Sequence, residues 1–284
     1  MEWIVWTEPF AFANKVEGPL YQREDVHSLF LGILSQIKEG KYEEYFLATA
    51  EENGKVAAVC LMTPPHPLQL IVLDEVPGIE KWIARHLLNL EVEVGAVIGD
   101  QAVAWNFADA WTEKKGGTAR VFMDQGLYRT DSVKPGLSKS PGAWRVANRK
   151  DAPRLEQWYL LFEEETGIGV SSEVEAGRKI ASFIEGKEIY VWEVDGEMVS
   201  CMKKSRPSKK GITVSFVFTP KEHRRKGYAR TLVAEVTEEL LNEYDFAMLY
   251  TDLKNPTSNK IYQEIGYEQI ANPVHLVIEE SSDK

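Results

Sequence analysis

Cysteine is scarce in this chain of 284 residues, and long apolar runs are missing altogether. The two cysteines, Cys60 and Cys201, lie in apolar, strand-like stretches, so we expect buried reduced thiols rather than a disulfide or a metal site. No apolar run approaches the ~20 residues that a membrane helix needs. The N-terminal MEWIVWTEPF shows no basic region followed by an apolar core, so no secretory signal is predicted. Together these features predict a cytoplasmic protein without a membrane segment or a metal.

The chain also lacks an excess of positive charge. Its 33 Lys and Arg residues face 44 Asp and Glu residues, which gives a formal net charge of −11, and both halves are acidic. This balance argues against a general nucleic-acid-binding role, because such proteins carry basic patches that neutralise phosphates. With 44% hydrophobic residues, the chain can bury a substantial core in one large domain or two of ordinary size.

Two turn signals divide the strand-like segments. Asn53-Gly54 and Asp195-Gly196 each separate two apolar, β-branched runs, which is the strongest short-range signal for a β-hairpin. Helical spacing of apolar residues appears at residues 26–37, 79–90, 101–114, 151–165, 172–185 and 227–243. The mixture predicts an α+β protein with a mixed, mainly antiparallel central sheet flanked by helices.

The order of these elements repeats. Each hairpin is followed by a third strand, a helix, a short strand, a helix and closing strands, which predicts a degenerate internal repeat. The alternative is chance, since any α+β chain alternates such elements. Residues 134–142 (KPGLSKSPG) are rich in Pro, Gly and Ser and form our candidate linker. We therefore predict two domains, residues 1–138 and 139–284.

A basic turn stands out in residues 216–230, FVFTPKEHRRKGYAR. An apolar strand leads into a turn and then into a helix, whose first N–H groups have no intrahelical acceptor and so favour an anion. Gly227 would let the backbone approach a phosphate closely, while Arg224, Arg225 and Lys226 supply positive charge. The alternative is an ordinary strand–turn–helix with a solvated basic turn.

Two motifs in the second half carry a family resemblance. Arg224, Gly227 and Ala229 fit the pattern Arg/Gln-x-x-Gly-x-Gly/Ala after a strand, and Asn255, Ser258 and Tyr262 follow about 30 residues later, beyond another strand. Here the chain resembles the GNAT superfamily of acyl-coenzyme-A-dependent N-acetyltransferases over residues 143–284. The resemblance implies two GNAT-like domains, of which the N-terminal one is degenerate.

The resemblance also implies acetyl-coenzyme A as cosubstrate. In that family pantetheine lies where the fourth strand separates from the fifth, and the pyrophosphate rests on the turn that follows. The residues implied in cofactor binding are Val217, Phe218, Thr219, Arg224, Arg225, Lys226, Gly227, Tyr228, Ala229, Arg230, Asn255 and Ser258.

Catalytic residues are implied in the same way. Tyr262 falls where many family members have a tyrosine that acts as general acid toward the departing thiolate; the alternative is simple packing on its helix face. For the general base we take Glu164 from the run Glu163–Glu165 at the end of a helix, although such a run is more often solvated. His223 is predicted to be a surface residue.

The predicted reaction is direct acetyl transfer to a primary amine of a small molecule or peptide, with the cofactor bound only in the C-terminal domain. The rival hypotheses are a coenzyme-A-binding sensor or structural relic and, more distantly, a general nucleotide-phosphate-binding module. In the first half, Asp74-Glu75-Val76-Pro77 replaces the basic cluster and would repel an anion. That half is then expected to complete the acceptor pocket, to fix the domain orientation or to form a homodimer.

Overall fold

Residues 1–279 are described by a computed structural model and divide between two units. The first unit contains residues 1–127 together with 251–255 and 269–279. The second contains residues 128–250 and 256–268. None of the helices within residues 1–279 is long and apolar enough to cross a membrane.

The elements follow one another in the same order in both halves of the chain. The first half contains β1 (Glu2–Val5), α1 (Pro9–Leu20), α2 (Ser28–Lys38), β2 (Phe46–Glu52), β3 (Lys55–Met62), β4 (Leu68–Val72), α3 (Ile79–Asn89), β5 (Ala96–Gly99), α4 (Gln101–Lys115) and β6 (Thr118–Thr130). The second half contains β7 (Ala143–Val146), α5 (Ala152–Thr166), α6 (Glu173–Glu185), β8 (Ile189–Val194), β9 (Glu197–Ser205), β10 (Gly211–Phe218), α7 (Tyr228–Leu240), β11 (Phe246–Asp252), α8 (Pro256–Ile265), β12 (Glu268–Ala271) and β13 (Val274–Glu279). The predicted repeat of element order is thus present.

Each unit is built on a mostly antiparallel sheet. In the first unit the strand order is β1-β2-β3-β4-β5-β13-β6, and in the second it is β11-β10-β9-β8-β7. The pairs β4–β5 and β10–β11 are parallel, because in each case a helix connects the two strands. The predicted α+β class with a mixed, mainly antiparallel sheet flanked by helices is confirmed.

Helices cover both faces of each sheet. In the first unit, α1 and α2 pack on one face around Phe12, Phe30 and Leu61, while α3 and α4 pack on the other around Leu87 and Trp111. In the second unit, one face carries α7 and α8 and the other carries α5 and α6. These buried apolar layers are the main source of stability and hold the strand ends in place.

Both predicted hairpins are confirmed. Asn53 and Gly54 have φ of 52° and 76°, and Asp195 and Gly196 have φ of 51° and 81°. Two successive residues with positive φ give the turn whose twist matches that of paired strands, and Asn-Gly and Asp-Gly adopt it at low cost. These turns set the register of β2 with β3 and of β8 with β9.

The boundary at residues 138/139 that the sequence suggested differs from the observed division. The candidate linker, residues 134–142, belongs to the second unit, where the Lys134 N–H donates to the Ile265 carbonyl at 2.8 Å. The last strand belongs to the first unit, because β13 pairs antiparallel with both β5 and β6. Neither fact was visible in the sequence, since strand partners are chosen by long-range pairing.

The loop between α5 and α6 is fastened by one buried carboxylate. Glu163 accepts the Ser171 N–H at 2.7 Å and the Ser171 hydroxyl at 2.9 Å, and Lys179 lies 3.5 Å away. Burial by itself would raise the pKa of Glu163, but the two donors of Ser171 and the charge of Lys179 outweigh it, so the pKa lies below its ordinary value. The carboxylate therefore stabilises the loop in its ionised form.

We expect Leu276→Ala to destabilise the first unit by about 2–5 kcal/mol, because Leu276 is fully buried in its core. Amide hydrogen exchange in β5, which is paired with β13, measures the effect. Val277→Ala, on the half-buried opposite side of the same strand, is the control and should cost less. Equal losses in the two variants would show that β13 does not contribute to this core.

For Glu163→Gln we expect a loss of about 1.5–3 kcal/mol at pH 7, since hydrogen bonds to a charged group are lost. The folded pKa is lowered, so the wild-type contribution is complete above about pH 4.5 and disappears as the pH falls through the lowered pKa. Urea unfolding of both proteins at pH 7 and pH 3 tests this. A stability difference that persists unchanged at pH 3 would contradict it, and Glu164→Gln serves as the exposed control.

Candidate active site

The parallel pairing of β10 with β11 ends early. It runs from Gly211 opposite Phe246 to Val214 opposite Leu249, although β10 continues to Phe218. On its other edge β10 is bulged against β9, because the register jumps from Ser215–Lys203 to Phe218–Cys201. At this jump two residues of β10 oppose one residue of β9, which turns the end of β10 away from regular pairing. The arrangement leaves the edge of residues 215–218 that faces β11 without pairing to that strand.

Phe216 is the residue that makes the bulge. Its φ is 47°, an uncommon value for a residue with a side chain, and its ring is 5% exposed. Tyr159 and Phe162 of α5 each pack edge-on against it, with ring centroids 5.2 Å away. Because buried aromatic packing holds the strained backbone, the bulge is a fixed feature of the fold.

The basic turn after β10 presents a row of unpaired backbone donors. Arg225 has φ of 63°, and Gly227, the N-cap of α7, has φ of 79°. The first bond of the helix joins the Thr231 N–H to the Gly227 carbonyl at 3.0 Å. Within residues 1–279, the N–H groups of residues 225–230 donate to no protein acceptor. Six consecutive donors at a helix N-terminus are suited to bind an anion.

Arg224 is exposed, but its guanidinium is bound to the turn and to α5. Its Nε donates to the Thr219 carbonyl at 2.8 Å, and its Nη2 lies 2.9 and 2.6 Å from the two oxygens of Glu165. The charge that the sequence assigned to an anion is thus neutralised by the end of α5. Arg224 therefore positions the turn.

The remaining basic side chains differ in their contacts. Arg230 donates to Glu264 at 3.2 Å and to the Ser138 hydroxyl at 2.7 Å. The exposed side chains of Arg225 and Lys226 form no ion pair with any residue in the described range 1–279. They are the two charges of the turn that an incoming anion can use without breaking an existing contact.

Residues 138–141, which we call the strap, cross the start of α7. The Ser140 hydroxyl donates to the Lys226 carbonyl at 2.9 Å, and the Ser140 N–H donates to the Thr231 hydroxyl at 3.1 Å. The Trp192 indole N–H donates to the Pro141 carbonyl at 2.9 Å. The strap and the turn line an open cavity of about 470 Å³. Pro, Gly and Ser content predicted a linker here, and no sequence signal indicated this docking.

Gly227 is needed for two reasons. Its φ of 79° is strained for any other residue, and a Cβ added there would lie 2.7 Å from the Ser140 hydroxyl oxygen. Any larger residue at this position would disturb the strap as well as the approach of a ligand. Tyr228 and Ala229 follow as the first two residues of α7.

Tyr262 is buried on α8, with 8% exposure. Its ring meets Tyr267 edge-on at 6.1 Å, and the Tyr267 hydroxyl is hydrogen-bonded to the Thr237 hydroxyl at 2.8 Å. Burial raises the pKa of Tyr262 to about 12, so the phenol keeps its proton at neutral pH. Its hydroxyl has no hydrogen-bond partner within residues 1–279. Core packing explains the position of the ring, but it does not use the hydroxyl.

The other predicted site residues are less closely grouped. Glu164 is exposed, whereas Glu163 is buried and Glu165 is bound to Arg224. Ser258 lies in the first turn of α8 in the second unit, while Asn255 belongs to the first unit, where its N–H donates to the Asp252 carbonyl. His223 is partly buried, with its Nε2 3.6 Å from Glu197. The roles of Glu164, Asn255 and Ser258 stay predictions.

The first unit keeps the same backbone feature with different side chains. Gly78 is the N-cap of α3, with φ of 76° and ψ of 18°, close to the 79° and 3° of Gly227. Pro77 precedes it, and a Cβ added to Gly99 of β5 would lie only 2.7 Å from the Leu70 carbonyl of β4, so the two strands stay close there. Phe107 stands seven residues after the helix-capping Asp100, as Tyr262 stands seven after Asn255.

Sequence reasoning missed that Gly78 corresponds to Gly227 and Phe107 to Tyr262, although both matches could have been found. Aligning the glycines that precede the two equivalent helices matches Gly78 with Gly227, and counting seven residues from Asp100 then gives Phe107. No group of three or more His, Cys, Asp or Glu residues within residues 1–279 is arranged to hold a metal ion.

Comparison with known proteins shows which proteins the chain is similar to. Residues 196–276 match the model of the FR47-like protein family, whereas no curated protein matches the chain. An acetyltransferase of the GNAT family from Colwellia psychrerythraea has a similar structure, with a TM-score of 0.61 and 12% identity over 98% of this chain and 100% of that one. A GCN5-related N-acetyltransferase from Sphaerobacter thermophilus is similar with a TM-score of 0.60 and 15% identity, over 97% of this chain and 95% of that one.

A tandem GNAT protein from the clavulanic acid biosynthesis pathway is also similar, with a TM-score of 0.57 and 12% identity over 99% of both chains. At these identities the structures establish the fold, and the family match covers β9, the basic turn and the helix of Tyr262. The resemblance seen in the sequence is confirmed for the fold: the chain has the fold of these GNAT acetyltransferase structures, and its residues 196–276 match the FR47-like model.

Proposed function

We propose that the protein transfers the acetyl group of acetyl-coenzyme A directly to a primary amine, with the cofactor bound in the second unit only. The observation that carries this proposal is the row of six N–H groups at residues 225–230, which donate to no acceptor among residues 1–279. Unpaired donors at a helix N-terminus favour a phosphate group, and the free charges of Arg225 and Lys226 add to that preference. Acetyl-coenzyme A supplies the diphosphate and, as a thioester, an activated acetyl group.

The end of β10 fits the other part of the cofactor. Residues 217–219 follow the bulge at Phe216, where β10 no longer pairs with β11. Their open edge can pair with the amide groups of pantetheine, as an added strand would. The Phe218 and Thr219 carbonyls are already bound by Ser200 and Arg224, which keeps this segment rigid. We assign Val217, Phe218 and Thr219 to this contact, and Asn255 and Ser258 to the pantetheine arm.

Tyr262 is our candidate general acid. Its hydroxyl holds a proton throughout the neutral range, since burial raises its pKa to about 12, and among residues 1–279 it has no partner to which that proton is committed. It would donate this proton to the sulfur as the thiolate leaves. Glu164, which is exposed, is our candidate base for the protonated amine, acting through water.

The first unit, on this proposal, is a degenerate copy that binds no coenzyme A. Its turn carries Asp74, Glu75 and Pro77, so it has negative charge and one N–H fewer where the second unit has a basic cluster. Phe107 replaces the candidate acid. One cofactor per chain is therefore expected.

The proposed binding of phosphate by the N–H groups of residues 225–230 can be tested by removing one donor. Ala229 is the second residue of α7, where proline is tolerated because the N–H has no helical acceptor; Pro153 holds the same place in α5. We expect Ala229→Pro to weaken coenzyme A binding by about 10- to 100-fold, which corresponds to one charge-assisted hydrogen bond. Isothermal titration calorimetry measures the affinity, and the melting temperature reports on the fold.

Glu80→Pro is the matched control, since Glu80 is the second residue of α3 in the first unit. It should leave the affinity and the stoichiometry of one unchanged. Wild-type affinity in Ala229→Pro would show that the turn does not hold the phosphates. An equal loss in Glu80→Pro would show that the first unit binds cofactor as well.

The role of Tyr262 is tested by Tyr262→Phe, for which we expect kcat to fall by about 10²–10⁴-fold, with coenzyme A affinity and melting temperature nearly unchanged. The ring contact with Tyr267 survives, and no protein hydrogen bond is lost. Free thiol release, with a panel of amine acceptors, measures the rate. Tyr267→Phe is the converse control. It removes the hydrogen bond to Thr237, so it should lower the melting temperature and leave kcat nearly unchanged.

If Tyr262→Phe turns over as fast as wild type, Tyr262 is not the acid. If the wild type binds acetyl-coenzyme A but releases no thiol with any acceptor, the protein is a coenzyme-A-binding sensor rather than an enzyme.

A further inference from the structure

Residues 133–137, which we call the arch, precede the strap and lie against α7. Lys134 fastens the arch to the end of α8, where its N–H and its Nζ donate to backbone carbonyls at 2.8 and 2.9 Å. Where the arch joins the strap, Arg230 of α7 donates to the Ser138 hydroxyl at 2.7 Å. The arch is therefore held at both ends, in a segment whose composition is that of a linker.

A cavity of about 220 Å³ lies between the arch and α7. Residues 133–139 line one side of it, and the other side consists of Arg230, Thr231, Ala234, Glu235 and Glu238. None of residues 224–229 lines this cavity, which is thus separate from the basic turn and its row of N–H donors. Because its volume is below that of drug-sized sites, the cavity suits a molecule with few carbon atoms.

The sequence of α7 explains why there is room beneath the arch. Arg230, Ala234 and Glu238 are spaced by four residues, so they share one face of the helix. With a rise of 1.5 Å per residue, the Cα atoms of Arg230 and Glu238 lie about 12 Å apart. Ala234 between them has a small side chain and is 7% exposed. Val133 and Leu137 of the arch add apolar lining opposite this face.

Two charged groups in the cavity lack partners of the kind they need. The Nε of Arg230 is buried without an acceptor, although both terminal nitrogens of this guanidinium are bound. The carboxylate of Glu238 forms no ion pair within residues 1–279, whereas Glu235 pairs with Lys139 at 3.0 Å. A buried donor without an acceptor is costly unless a ligand or water satisfies it. One end of the cavity therefore lacks an acceptor and the other lacks a cation.

We infer that the cavity beneath the arch binds a short aliphatic zwitterion, whose carboxylate accepts from the Nε of Arg230 and whose ammonium pairs with Glu238. Its apolar stem would rest on Ala234, Val133 and Leu137. A simple anion would leave Glu238 without a cation, and a simple amine would leave the Arg230 donor without an acceptor, so both ends together favour a molecule that carries both charges. The site goes beyond the proposed function, because it is separate from the groups assigned to acetyl transfer and its ligand can bind without coenzyme A.

Calorimetric titration of the full chain with 4-aminobutanoate and 5-aminopentanoate tests this site. Butanoate, which lacks the ammonium, and butylamine, which lacks the carboxylate, are the ligand controls. We expect the wild type to bind the better of the two amino acids at least about tenfold more tightly than either control, since each control loses one charge-assisted contact.

Glu238→Gln keeps the shape of the side chain and removes its charge. Its affinity for the amino acid should fall about tenfold or more, to the level of butanoate, while its affinity for butanoate stays unchanged. Glu239→Gln is the matched control, since Glu239 is the next residue of α7, is exposed and lies outside the cavity. It should keep the wild-type preference.

Ala234→Leu fills the space between the two charged ends and should abolish binding of all four compounds, with the melting temperature reporting on the fold. If this variant does not fold, Glu238→Gln still decides the question, because Glu238 is exposed.

The absence of saturable binding of either amino acid to the wild type would overturn the inference. Equal affinities for the amino acid and butanoate, or an unchanged preference in Glu238→Gln, would overturn it as well. Coenzyme A affinity is measured separately and should be the same in Glu238→Gln as in the wild type, so failure of this site leaves the proposed function intact.

Discussion

The six backbone N–H groups of residues 225–230 find no acceptor in the described part of the chain, and they are the constraint around which the second unit is arranged. Unpaired donors on this scale persist only where water or an anion satisfies them, so the protein must keep the turn open and fixed. Arg224, bound to Glu165, fixes it from the side of α5. The strap fixes it from the other side through Ser140. The nearby basic side chains therefore divide between holding the turn and facing the cavity.

The strained positions of this region are stabilised by packing around them. Phe216 and Arg225 both have positive φ, a conformation that costs about 1–3 kcal/mol for an ordinary residue. Two aromatic side chains of α5 enclose Phe216. Arg224, which precedes Arg225, is held by the Thr219 carbonyl and by Glu165 at the end of α5. The same helix thus supports both the bulge at the end of β10 and the turn that follows. Loosening α5 would disturb both parts of the proposed cofactor site.

Local signals predicted local features well. Asn53-Gly54 and Asp195-Gly196 specify their turns through φ values that few other residue pairs adopt, and the basic turn was identifiable because glycine and charge occur together after a strand. The position of β13 and the docking of the strap could not be predicted in this way. Both depend on partners far apart in sequence, and the composition of residues 134–142 is that of a flexible linker as much as of a bonded segment. The ion pair between Arg224 and Glu165 could not be predicted for the same reason.

The two units have similar backbone geometry at their equivalent helix starts but differ in the side chains around them. Gly78 and Gly227 cap equivalent helices with nearly the same backbone angles. The donor row is nevertheless interrupted in the first unit, because Pro77 has no N–H and the Ile79 N–H donates to the Val76 carbonyl at 3.1 Å. Only the second copy surrounds it with cations and a strap, and only the second has a tyrosine where the first has Phe107. Because the two helix starts share their cap geometry, the proposed difference in cofactor binding between the units must come from charge, from the missing N–H of Pro77 and from the separation of the parallel strands. The fold therefore supplies a glycine-capped helix start in both units, whereas the residues around it decide whether a phosphate binds there.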